Sequence, residues 1–89
     1  MSLAIITGAS SGIGKEFAYQ LKEKLGIEEF WFIARSTDKM RKIAEDLGVK
    51  VTVITADLTK KEGIEEYRSK LLSERPQVDF LINCAGFGV

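Results

Sequence analysis

Leu3-Ala4-Ile5-Ile6-Thr7-Gly8-Ala9-Ser10-Ser11-Gly12-Ile13-Gly14-Lys15 decides how the rest of the chain is read. Its first five residues form a short apolar run, the kind that makes a strand buried on both faces, and Gly8 stops it. From Gly12 onward, Ile13, Phe17, Ala18, Leu21 and Leu25 recur at helical spacing, and Gly26 is placed to end that helix. A strand that passes through a glycine-rich turn into a helix is the opening of a βα unit.

Working outward, the alternation repeats. Strands are predicted over 3–7, 29–34, 49–55 and 78–83, and helices over about 12–25, 38–47 and 60–74. Ser36, Thr37 or Asp38 can cap the second helix, whose apolar face is Met40, Ile43, Ala44 and Leu47 and whose stop is Gly48. Thr59-Lys60-Lys61-Glu62 reads as a capping box, with Thr59 at the N-cap and Glu62 three residues on. The helix it opens carries Ile64, Tyr67 and Leu71, and Pro76 closes the region. No hairpin-type turn dipeptide separates any two strands. Near-continuous apolar strands joined by helices imply an α/β fold, with a parallel sheet covered on both faces.

Composition narrows the function. The 89 residues suffice for one domain. Thirteen Lys and Arg balance thirteen Asp and Glu, so the basic surplus of a nucleic-acid binder is absent and no nucleic-acid partner is expected. The sequence has no His, which removes imidazole bases and histidine metal ligands, and a single Cys84, which removes disulfide frameworks and cysteine-cluster zinc sites. No metal site is expected. No segment approaches the roughly 20 apolar residues of a membrane span, and the start lacks a positive n-region. These features point to a cytoplasmic protein with no membrane partner.

The three glycines of the opening turn each answer a physical need. Gly8 permits a tight exit from the strand, Gly12 lets backbone approach a pyrophosphate, and Gly14 lets the helix pack closely. A helix that begins there turns its first N–H groups and partial positive charge toward the phosphates. The competing phosphate-binding turn, G-x-x-x-x-G-K-[ST], does not fit. Aligned on Gly14-Lys15, it puts Ala9 where its first glycine belongs and Glu16 where a hydroxyl should hold magnesium.

Thr7-Gly8-Ala9-Ser10-Ser11-Gly12-Ile13-Gly14 resembles the T-G-x-x-x-G-x-G motif of the short-chain dehydrogenase/reductase family. Two further motifs agree in order and context: Asp57-Leu58 after the third strand, and Asn83-Cys84-Ala85-Gly86 after the fourth, where the family has N-N-A-G. The resemblance spans essentially the whole chain. It implies a Rossmann-type sheet in strand order 3-2-1-4, the N-terminal half of a doubly wound fold, with the parent protein longer. It also implies a set of cofactor contacts. Gly8, Ser10, Gly12, Ile13 and Gly14 would lie along the pyrophosphate. Asp57 and Leu58 would meet the adenine. Asn83, Ala85 and Gly86 would border the nicotinamide-side ribose.

The choice of nicotinamide cofactor rests on the end of the second strand. In NAD-binding units an acidic residue about 20 residues beyond the glycines takes the ribose 2′-hydroxyl. Counted from Gly14, that place is Ala34, which can neither bind a diol nor repel a phosphate. Arg35 follows, with a planar, permanently charged donor fork suited to a 2′-phosphate, and Ser36 adds a hydroxyl. NADP(H) is therefore expected over NAD(H).

The family's hydride-transfer chemistry uses a Tyr-x-x-x-Lys pair and an upstream Ser, all beyond the fourth strand. Neither tyrosine here substitutes: Tyr67 has Lys70 three residues on and Leu71 four on, and Tyr19 has Glu23 four on, a carboxylate that would raise its pKa. No catalytic residue is expected within these residues. Three readings stay open at this point. One is the cofactor-binding part of an NADP-dependent oxidoreductase, another a non-catalytic nucleotide-binding or interaction module, and the third a truncated product without independent activity. A fourth strand at the sheet edge, carrying Phe80-Leu81-Ile82, invites self-association through residues 78–83.

Overall fold

A computed structural model describes residues 2–9 and 12–84. Strand β1 (Leu3–Thr7) leads to helix α1 (Gly12–Leu25), strand β2 (Glu29–Ala34), helix α2 (Thr37–Leu47), strand β3 (Lys50–Thr55), helix α3 (Lys61–Glu74) and strand β4 (Phe80–Asn83). The four strands are parallel, in the order β3-β2-β1-β4, as the α/β reading and the family resemblance require.

Alternation along the strands divides the core in two. Ala4 and Ile6 of β1 and Phe30, Phe32 and Ala34 of β2 point to one face. There α1 supplies Ala18 and Leu21, and α2 supplies Met40, Ile43 and Leu47. Leu3 and Ile5, Trp31 and Ile33, and Ile54 point to the other face, where Tyr67 and Leu71 of α3 pack against them. Every residue of β1 is buried, so its near-continuous apolar run reflects cover on both sides. The Phe30 and Phe32 rings lie 5.8 Å apart at a tilt of 51°, a favourable edge-inclined aromatic contact.

Helix ends follow the chemistry of their residues. Gly26 and Gly48 adopt positive φ, 64° and 68°, which an L side chain resists. Their N–H groups close back on the carbonyls of Lys22 and Ala44. The Lys22 ammonium also donates to the Leu47 carbonyl, tying α1 to the C-terminal end of α2. Helix α3 ends differently: Arg75 takes the left-handed position itself, at φ 43°, just before Pro76.

Five expectations are corrected. The capping box does not form. The N-cap of α3 is Lys60, and Thr59 instead donates its hydroxyl and N–H back to the Asp57 carboxylate, so the hydroxyl does not serve as the acceptor a cap requires. The stripe on α1 is rotated: Ala18 and Leu21 face the sheet and Gly14 is buried, while Ile13, Phe17 and Leu25 are exposed. Ile64 of α3 is exposed as well, leaving Tyr67 and Leu71 as that helix's packing residues. Two strands also start later than expected. β3 begins at Lys50, opposite Glu29, because Val49 is spent leaving the left-handed Gly48 cap. β4 begins at Phe80, because the Asp79 carboxylate takes the Leu3 N–H (2.9 Å) in place of a ladder carbonyl.

Candidate functional site

A parallel sheet brings the C-terminal ends of all its strands to one edge. Here that edge gathers Gly8 after β1, Arg35 and Ser36 after β2, Asp57 and Leu58 after β3, and Asn83 at the end of β4. Backbone bonds extend the ladder one step past the strands and hold these turns side by side. Gly8 N–H donates to Ile33 O (2.7 Å), Ala56 N–H to Ala34 O (2.9 Å), and Cys84 N–H to Thr7 O (2.9 Å). Strand order reverses between β1 and β4, and the helices change faces with it, α1 and α2 on one side and α3 on the other. Such a switch point opens a crevice at the carboxyl ends of the strands, where open α/β sheets bind ligands.

The glycine turn has the geometry its residue types suggest. Gly8 sits at φ 70°, a left-handed conformation that makes the tight exit from β1. A Cβ on Gly14 would lie 2.7 Å from Gly8 O and 2.8 Å from Ala9 Cα, so α1 seats its first turn directly on the turn's own backbone. The close packing that Gly14 permits is thus onto this turn. Among the described residues nothing lies within 4 Å of the place a Gly12 Cβ would occupy. Ile13 beside it is exposed. Ser10, Ala85 and Gly86 lie outside the described residues.

At the end of β2, Arg35 is exposed and Ser36 stands at the N-cap of α2 without a side-chain capping bond. The hydroxyls of Thr37 and Thr55 hydrogen-bond to each other, joining the start of α2 to the end of β3 beside Arg35. In the sequence Thr37 is only one of three cap candidates for the second helix, and Thr55 carries no signal. Their adjacency follows from the register, which sets Ala34 opposite Thr55.

Asp57 is held by its neighbours. Thr59 donates to Oδ1 from both N–H (2.9 Å) and hydroxyl (2.5 Å), and Lys60 N–H donates to the Asp57 carbonyl (3.0 Å). These Thr59 bonds push the carboxyl below its ordinary value, and the charges of Arg35 and Lys60 add to the effect. Leu58 packs against the α3-side core and anchors the turn. At the other end of the site, the buried Thr7 hydroxyl donates to Asn83 Oδ1 (2.7 Å). That bond ties β1 to β4 and gives Thr7 a local role.

The remaining titratable candidates are quiet. Tyr67 is half-buried in the core, which pushes its phenol up. The Tyr19 phenol is raised by desolvation and then by the carboxylate of Asp46 on α2; Glu23 is not the source. Burial raises the Cys84 thiol, away from the thiolate a nucleophile needs. An open groove of roughly 600 Å³ between β3 and α3 is lined by Thr52–Thr55, Glu66, Ser69, Lys70 and Ser73. It runs along the outer flank of the sheet and has no glycine turn. Among the described residues no helix is long and apolar enough to cross a membrane.

Comparison with known proteins gives the site its context. The family model described as short chain dehydrogenase matches residues 2–89. An 11-beta-hydroxysteroid dehydrogenase of Pinus massoniana is 38% identical over 90 residues, covering 97% of this chain and 25% of that protein. An alcohol dehydrogenase from the archaeon Thermococcus sibiricus, complexed with 5-hydroxy-NADP, superposes with a TM-score of 0.77 at 39% identity. That match covers 91% of this chain and 35% of the other. The L-sorbose reductase of Gluconobacter frateurii, complexed with NADPH and L-sorbose, gives a TM-score of 0.82 at 30% identity, covering 99% and 34%. The chain thus spans about a quarter to a third of the length of these proteins. A sheet in order 3-2-1-4, its glycine turn at the first βα junction and a family match over nearly every residue lead to one conclusion: the chain belongs to the short-chain dehydrogenase family.

Proposed function

We propose that the chain is the NADP(H)-binding N-terminal part of a short-chain oxidoreductase. The observation that carries the reading is the gathering of the glycine turn, Arg35, Asp57 and Asn83 along one sheet edge at the switch point. Gly8, Ser10, Gly12, Ile13 and Gly14 line the pyrophosphate. Arg35 and Ser36 take the 2′-phosphate. Asp57 and Leu58 receive the adenine, and Asn83, Ala85 and Gly86 border the nicotinamide-side ribose. The bound nicotinamide supplies the hydride chemistry. These residues bind and orient it, and none of them moves a proton. Hydride exchange between NADPH and a carbonyl or alcohol belongs to the whole protein, whose catalytic Ser, Tyr and Lys lie elsewhere. Similar proteins solved with NADPH or 5-hydroxy-NADP support the cofactor. A cytoplasmic location is part of the same reading.

The charge of Arg35 makes the reading testable. A guanidinium facing a phosphate dianion forms charge-assisted bonds of about 1.5–3 kcal/mol, so NADPH should bind roughly tenfold or more tighter than NADH. Fluorescence titration checks this. Arg35→Ala should erase the preference by weakening NADPH and leaving NADH nearly unchanged. An equal or tighter grip on NADH by the unaltered chain contradicts the reading. Separately, β4 lies at the sheet edge with Phe80 and Leu81 exposed, which favours self-association through 78–83. Light scattering that shows a monomer at high concentration would remove that part.

A further inference from the structure

We infer that Gly63 and Thr59 are positioning residues for the adenine end of the cofactor, holding the Asp57–Leu58 turn from its backbone side and its carboxylate side respectively. The inference rests on the dinucleotide reading above and deepens it.

Gly63 lies inside α3, where glycine is a poor helix former, and its backbone is not among those with positive φ. Conformation therefore does not call for glycine there; space does. A Cβ at this position would lie 2.0 Å from Asp57 O, 2.6 Å from Asp57 C and 2.9 Å from Asp57 N. All three are backbone atoms, so no side-chain rotation relieves the clash. Helix α3 rests its first turn on the Asp57 peptide, and any side chain at 63 must drive the helix and the turn apart. Thr59 fixes Oδ1 with two bonds, Lys60 N–H fixes the Asp57 carbonyl, and Leu58 packs against the core. A carboxylate that reads an amino group by a directional bond depends on this fixity.

The test compares NADPH with its hypoxanthine analogue, in which an oxo group replaces the adenine amino group. The unaltered chain should bind NADPH about tenfold tighter than the analogue, the worth of one bond to a charged acceptor. In Gly63→Ala and in Thr59→Val this discrimination should fall below about twofold, with affinity for the analogue nearly unchanged. General destabilisation would instead weaken both ligands alike. Thr59 is exposed, so its variant carries the test even if Gly63→Ala does not fold. In both variants the Asp57 carboxyl should titrate closer to its ordinary value. Discrimination that persists in the variants overturns the inference alone. An unaltered chain that binds neither dinucleotide, or both equally, overturns the underlying assignment of Asp57 and the inference with it.

Discussion

Ile5 and Leu81 are register partners on adjacent parallel strands, both aliphatic and both in mid-strand, yet Ile5 is 1% exposed and Leu81 is 61% exposed. Strand β1 has a neighbour on each side and helices on both faces. Among the described residues strand β4 pairs with β1 alone, and α3 covers the face above β1 and β2 without reaching Leu81. The two strands have similar apolar sequences. What separates them is the company each keeps, so an apolar run identifies a strand suited to burial without saying what buries it.

The sharpest way to break this contrast is to truncate both partners. Ile5→Ala should cost about 2–5 kcal/mol, because it leaves a cavity in a packed core, whereas Leu81→Ala should stay within about 0.5 kcal/mol. Urea denaturation measures both, with Ile5→Val, at about 0.5–1.5 kcal/mol, as the gentler probe if the alanine variant is too unstable. Equal losses would show that β4 is as well covered as β1. Next in size is the bond that joins the two strands. Thr7→Val removes the donor to Asn83 and leaves the isostere buried, a loss of about 1–2 kcal/mol in the same experiment.

Smaller effects sharpen the contrast at its margins. Arg75→Gly should stabilise by about 0.5–1 kcal/mol, since glycine occupies the left-handed cap before β4 without a Cβ penalty. Thermal unfolding should show a higher midpoint. The smallest expected effect concerns acid. Asp57 is held below the ordinary 3.8, so its contribution is complete above that pH and is lost as pH falls through the lower folded value. The Thr59 amide resonance should report this transition, and Asp57→Asn should abolish it.

The element order, the parallel sheet and the glycine turn were legible because hydropathy and glycine placement carry them. Leu3–Thr7, then Gly8, then a helical stripe leaves little freedom. The strand order came through three motifs in register, since hydropathy does not encode which strands are neighbours. What escaped depends on groups meeting in space. Thr59 looked like a cap because its spacing to Glu62 suits one, yet a carboxylate two residues away competes for the same hydroxyl. The α1 stripe rotated because Gly14 seats the helix on the turn, which turns Ala18 and Leu21 inward and leaves Phe17 at the flank. Gly63 gave a signal, a lone glycine in a helical pattern, but its meaning needed the Asp57 backbone beneath it.

The most direct test of the central claim is an amide-resolved NMR titration of the chain with NADPH. Saturable shifts are expected at Gly8, Gly12, Gly14 and Arg35, with those at Asp57 and Thr59 following the same curve. No shift at the glycine turn, or shifts centred on Thr52, Ser69 and Lys70 in the groove between β3 and α3, would contradict it.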